Sequence, residues 1–111
     1  KSTDPVIVES TIEQQLKTIE TQYLEHIDTE WQNFIALATD EKLVRRYEQK
    51  LKELDTDYQE ISKVFRRNKN NIVFIEALVE NLKTRLQLLK DIQEHINILN
   101  QKSEQHETII L

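Results

Sequence analysis

The residues in this chain that could bind a metal or transfer a proton are three histidines: His26, His95 and His106. A di-iron helical bundle needs a Glu three residues before each ligating His. The residues at those positions are instead Tyr23, Ile92 and Ser103. No two His are four residues apart, as a helical zinc site requires. Asp91 and His95 have that spacing, and we interpret them as a solvated pair rather than half of a metal site.

Nucleophilic and acid–base chemistry lack support as well. The chain contains no Cys and no Gly, which excludes thiolate catalysis and Gly-rich phosphate loops. Ser and Thr occur mainly at predicted helix starts and on exposed faces, without a neighbouring His to activate them. Carboxylate pairs such as Glu20 and Glu25 are expected in any acid-rich helix. The sequence therefore predicts a protein that is not an enzyme and has no cofactor.

Charge and hydropathy restrict the partners. The net charge is −5, distributed as −7 over residues 1–41, +4 over residues 42–69 and −2 over residues 70–111. This balance argues against nucleic acid as the main partner. A short basic cluster could still contact an anionic membrane or an acidic partner: Arg66, Arg67 and Lys69. No segment has the roughly 20 apolar residues of a transmembrane helix. The lack of Cys favours an intracellular location, cytoplasmic or nuclear.

Any functional side chains of this chain must be positioned by helices, which are predicted from a repeating apolar pattern. It follows a 3-4 spacing without interruption, and fourteen of its sixteen positions are apolar or aromatic: Val44, Tyr47, Leu51, Leu54, Tyr58, Ile61, Phe65, Asn68, Ile72, Ile75, Val79, Leu82, Leu86, Leu89, Gln93 and Ile96. This period is typical of helices that bury one seam against other helices.

The pattern predicts three helices in one domain over residues 1–111. Helix one is expected at 10–38, with Ser10 and Glu13 as a capping box and Trp31 as a packing anchor. Residues 1–9 are expected to be an extended tail. Helix two is expected at about 41–67 and helix three at 71–102, followed by a second tail over 103–111. The segment Asn68–Asn71 could either break the helix or continue it, since its Asn content favours a turn and its heptad phase favours continuity.

The segment from Ile72 to Val79 is apolar nearly all the way round, and several g positions of helix three are apolar as well. Such a wide stripe needs at least two neighbouring helices, and large apolar surfaces mark contacts between proteins. We therefore predict a protein interface at eight residues: Phe65, Ile72, Phe74, Ile75, Leu78, Val79, Leu82 and Leu86.

These features predict an all-α, elongated fold of three long helices. An antiparallel three-helix bundle is favoured over a helical hairpin or an extended coiled coil. The length, the helix sizes and Trp31 resemble a spectrin-like repeat, although helix three has no Trp. The expected function is that of a structural coiled-coil subunit that holds proteins together in a larger assembly, of the spindle or kinetochore, nuclear-pore, tethering or division type. The alternative is a regulatory helical bundle of a membrane-trafficking protein.

Overall fold

The computed structural model describes the backbone of residues 5–68 and 71–110, and the side chains of residues 11–68 and 71–103. It contains three helices in the order α1 (Pro5–Leu37), α2 (Glu41–Arg67) and α3 (Ile72–Ile110). The described residues include no strand. The all-α, elongated fold predicted from the sequence is confirmed, with principal extents of 77 × 24 × 20 Å.

The three helices form an up-down-up bundle. Opposite Glu30 of α1 lies Gln93 of α3, whose Nε2 donates to the Glu30 Oε1 at 2.8 Å. The α2–α3 pair runs antiparallel, since Asn81 donates to the Leu54 carbonyl and Arg85 to Asp55. Helix α3 therefore packs along both of the other helices, which its wide apolar stripe permits.

The buried core lies along the centre of this bundle. It consists of Ile27 and Phe34 from α1, Tyr58 and Phe65 from α2, and four residues of α3, namely Leu78, Leu82, Leu89 and Ile92. Leu78 and Ile92 occupy g positions and Leu82 and Leu89 occupy d positions of the heptad pattern. The buried face of α3 is thus centred between these two rows, as expected for a helix with two neighbours.

The first turn joins α1 and α2 through Ala38–Asp40. Asp40 has an extended backbone, and its Oδ1 accepts a 2.9 Å hydrogen bond from the Lys42 N–H. A carboxylate at this position satisfies an unpaired N–H group and favours the positive end of the helix dipole. The bounds of α2 coincide with the predicted 41–67.

The second turn settles the question left open at Asn68–Asn71, because α2 ends at Arg67 and α3 begins at Ile72. The Asn68 N–H donates to the Phe65 carbonyl at 2.9 Å, and the Asn68 side chain donates to the Val64 carbonyl at 3.2 Å. Asn71 Oδ1 accepts from the Val73 N–H at 3.0 Å. Asn side chains thus replace backbone partners at both helix ends. Lys69 and Asn70, between them, lie outside the described residues.

Two predicted tails are wrong over the described residues. Helix α1 already includes residues 5–9, so Ser10 lies inside the helix and not at its cap. Pro5 suits the first helical position because it has no N–H to satisfy and a helical φ angle. Helix α3 continues through residues 103–110 instead of ending at 102. This segment contains neither Gly nor Pro to terminate it. Residues 1–4 and 111 lie outside the described part of the chain.

Candidate functional site

A group of polar side chains lies inside the bundle where its three helices meet. Arg85 of α3 is only 5% exposed, and Asn81, one turn before it, is also buried. The Arg85 Nε donates to the Asn81 Oδ1 at 3.1 Å, while the Asn81 Nδ2 donates to the Leu54 carbonyl of α2 at 2.9 Å. The Arg85 Nη1 also donates to the Asp55 Oδ1 at 3.4 Å. These bonds connect α3 to α2.

Tyr58 extends the group to the remaining helix. The Arg85 guanidinium lies over the Tyr58 ring, 5.4 Å from its centroid, in a cation–π arrangement. The carboxylate of Glu20 on α1 lies beside Tyr58 in the groove between α1 and α2 and contributes to the raised pKa of its phenol. We call these five residues the polar cluster: Glu20, Asp55, Tyr58, Asn81 and Arg85. It contains side chains from all three helices.

The surroundings of Tyr58 raise the pKa of its phenol well above 10. Burial is the largest cause, since it disfavours the phenolate, and the hydrogen bond to Glu20 is the next. The carboxylates of Glu20 and Asp55 act in the same direction, and the positive charge of Arg85 opposes them. Tyr58 is therefore held as a neutral donor. Such a group does not act as a general base near neutral pH.

The polar cluster is suited to fixing helix positions. Every fully buried side-chain nitrogen or oxygen within the described residues has a hydrogen-bond partner. A satisfied polar group inside an apolar core can favour one alignment of its helices, because a shifted register would leave its members unpaired. Here the shift of any helix would break at least one of these contacts.

Alkaline titration should reveal the Tyr58 environment. Because the pKa is higher in the folded chain than the ordinary value of about 10, the stabilisation is complete below pH 10 and is lost as the pH rises further. Unfolding free energy should fall with a slope of at most about 1.4 kcal/mol per pH unit from this group. Tyr58→Phe should remove that contribution, as measured by urea denaturation at several pH values. Parallel pH profiles for the two proteins would contradict the assignment.

The polar cluster was not predicted from the sequence. Arg85 occupies the same heptad position as Leu78 and Ile92, both of which are buried. A charged residue in that row is a signal that could have been used. Its partners could not have been chosen from the sequence, since they depend on how α2 and α3 are aligned.

Open grooves between the helices are the other concave features. A groove of about 530 Å³ between α1 and α3 is lined by Tyr23, Lys83, Gln87 and Asp91, among others. A smaller one of about 170 Å³ between α1 and α2 lies against Glu20, Tyr58 and Arg66. No three His, Cys, Asp or Glu residues in the described part of the chain are placed to hold a metal ion. His26 and His95 are exposed, and the His106 side chain lies outside the described residues.

The eight predicted interface residues separate into three groups. Phe65, Leu78 and Leu82 are buried in the chain's own core and leave almost no surface for a partner. Phe74, Ile75 and Leu86 are half-buried against that core, and Val79 is half-buried as well. Ile72 is exposed, as is its neighbour Val73. The role of the segment from Ile72 to Val79 in binding another protein stays a prediction.

Two exposed pairs near the opposite ends of α2 carry positive charge. Arg66 and Arg67 lie in the last turn of α2, beside the exposed pair Ile72–Val73 in sequence. Arg45 and Arg46 lie in the first turns of the same helix and are also exposed. Lys69, the third member of the predicted basic cluster, lies outside the described residues.

Comparison with known proteins identifies no relative: no protein-family model, no curated protein and no solved structure matches the chain. None of the described helices contains a stretch long and apolar enough to cross a membrane. The structural findings that bear on function are therefore the three-helix bundle, its polar cluster, and the exposed apolar residues near its two ends.

Proposed function

We propose that this chain is a non-catalytic structural subunit that associates through the C-terminal part of α3. The observation that carries the proposal is the length of this helix. Since Glu30 lies opposite Gln93, 63 residues further on, the end of α1 at Leu37 is level with residue 100. Helix α3 continues to Ile110, about ten residues or roughly 15 Å further. We call residues 98–110 the α3 extension.

The α3 extension begins with two exposed apolar residues. Ile98 is 42% exposed and Leu99 is 52% exposed. By the register of Glu30 with Gln93 both residues are level with the last turn of α1, yet the bundle leaves them exposed. An isolated helical segment of this length is marginal in water and gains stability from packing. A second helix alongside the extension would supply that packing.

A second copy of this chain is the partner that we propose. Self-association with two-fold symmetry is the most common arrangement of soluble oligomers. In this dimer the two extensions would lie side by side, and Ile98 and Leu99 of one copy would pack against the same residues of the other. The two bundles would lie outside this contact. A dimer of this kind is a scaffold because it holds two copies of every other surface at a fixed separation. This is the role of a structural subunit in a larger assembly.

Sedimentation equilibrium tests this proposal. The purified chain has a mass of 13.3 kDa and should approach twice this mass as its concentration rises. Replacing both residues, Ile98→Ser with Leu99→Ser, should weaken dimerisation by about 1–3 kcal/mol if both side chains are buried in the dimer. Circular dichroism should show that the bundle retains its helices.

Ile72→Ser with Val73→Ser is the matched control, because it removes an even more exposed apolar pair at the opposite end of α3. It should leave the dimerisation constant unchanged. A chain that remains monomeric at all concentrations, or that dimerises equally well without Ile98 and Leu99, would contradict the proposed function.

A further inference from the structure

We propose that the end of the bundle formed by the α2–α3 turn binds the surface of anionic lipid membranes. We call residues 63–68 and 71–73 the α2–α3 tip. This inference goes beyond the proposed function, which concerns the other end of α3. Two properties of the tip support it, namely the exposure of its aliphatic side chains and the charge around them.

Two aliphatic residues of the tip have the most exposed large apolar side chains in the described part of the chain. Ile72 is 65% exposed and Val73 is 61% exposed, both in the first turn of α3. Val64 of α2 is exposed as well and is placed opposite that turn by the antiparallel register of Leu54 with Asn81. Three aliphatic side chains therefore face solvent around one polar turn. An apolar group of this kind marks a binding surface.

The charge of the tip is uniformly positive in sequence. Between Glu60 and Glu76 the chain has four basic residues and no acidic one. Arg66 and Arg67 are exposed, while Lys63 is exposed and pairs with Glu60 at 3.4 Å. Helix α1 brings both Glu13 and Lys17 to the groove beside Arg66 and has Glu9 level with Ile72 by the register of Glu30 with Gln93. It therefore adds one net negative charge, against the four basic residues of this segment. The chain has a net charge of −5, yet its α2–α3 tip is basic.

The shape of the tip favours a lipid surface over an acidic protein. The three exposed aliphatic side chains line neither of the grooves described above. Insertion of small aliphatic side chains into the interfacial region requires no matching pocket. Arginines keep their charge at the level of the anionic headgroups while their stems contact apolar groups.

Vesicle co-sedimentation tests the proposal with the complete chain. The probes are phosphatidylcholine vesicles and vesicles in which about a third of the lipid is phosphatidylserine, a typical anionic headgroup. The chain should bind the anionic vesicles at low salt and the neutral ones much more weakly, and added salt should release it. Arg66→Gln with Arg67→Gln should weaken binding by about 30-fold, from about fivefold for each charge removed near the surface.

Two matched variants separate the tip from general charge and apolarity. Arg45→Gln with Arg46→Gln removes the same charge at the other end of α2, and Ile98→Ser with Leu99→Ser removes a similar apolar pair at the other end of α3. At concentrations where the wild type is monomeric, so that avidity plays no part, both should bind anionic vesicles like the wild type, whereas Ile72→Ser with Val73→Ser should bind less. Thermal melts establish that each variant is folded.

Three results would overturn the proposal. The first is the absence of binding to anionic vesicles. The second is an equal loss of binding in the Arg45/Arg46 variant, which would indicate unspecific attraction. The third is saturable binding of the tip to a polyglutamate peptide without binding to vesicles, which would assign it to acidic proteins. None of these results affects dimerisation through the α3 extension, so the two proposals fail independently.

Discussion

Replacing Phe34 by alanine should destabilise the chain by about 3–5 kcal/mol, the range for emptying a fully buried aromatic site. Phe34 is 0% exposed, and its ring lies between two other rings, 5.5 Å from that of Trp31 and 5.4 Å from that of Tyr47. Tilted ring pairs of this kind stabilise the fold beyond the contribution of the apolar area that they bury. Urea denaturation followed by circular dichroism would measure the loss.

Trp31→Ala is the variant with which the loss for Phe34→Ala should be compared. The sequence predicts Trp31 as the anchor of helix one, but its side chain is only half-buried, against the core that contains Phe34. Its removal should therefore cost less, about 1–3 kcal/mol by the apolar area it covers. A larger loss for Trp31→Ala than for Phe34→Ala would show that the packing at this end of the bundle differs from the one described.

Arg85→Ala should destabilise the chain by about 3 kcal/mol. The substitution leaves a cavity where the buried stem was and deprives the Asn81 oxygen of its donor, an unsatisfied buried group that costs about 1–3 kcal/mol. Asp55 contributes little to this loss, because its side chain is half exposed and regains water. The unfolding free energy in urea is again the measurement.

Arg85→Met separates volume from charge. Methionine fills most of the space and removes the desolvated guanidinium, and apolar replacements of buried ions are often neutral or stabilising. It still leaves the Asn81 oxygen without its donor, as alanine does, at a cost of about 1–3 kcal/mol. The variant should therefore be less stable than the wild type and more stable than Arg85→Ala. Equal losses for Ala and Met would mean that the lost hydrogen bonds of Arg85, and not its volume, account for the destabilisation. Negligible losses for both would place Arg85 outside the core.

The fold of three long helices could be predicted from the sequence because the apolar pattern is long and regular. The change from a narrow seam in α2 to a wide stripe in α3 indicates that α3 contacts two helices, and α3 does pack against both α1 and α2. The Asn-rich turn was left open for a physical reason: Asn68 and Asn71 stop the helices through side-chain bonds to Val64 O and Val73 N–H, whereas the heptad phase carries no information about such bonds.

Other features depend on tertiary alignment and could not be predicted. Ser10 and Glu13 have the spacing of a capping box, but Pro5 provides an alternative start that is compatible with the same apolar pattern. The burial of Leu78 and Leu82 by the chain itself, rather than by a partner, depends on how closely α1 and α2 approach. The pairing of Arg85 with Tyr58 and Asp55 requires a particular register between two helices, which composition and periodicity leave undetermined.

The odd number of helices has a mechanical consequence. Helix α1 begins at one end of the bundle and α3 ends at the other, so tension applied through these two points acts along the bundle axis. It pulls α1 and α3, which lie parallel, in opposite directions, and their contacts must then yield together rather than one after another. Resistance to such tension is set by the rate of unfolding under force. The Gln93–Glu30 bond, which attaches α1 to α3, would be among the first contacts strained.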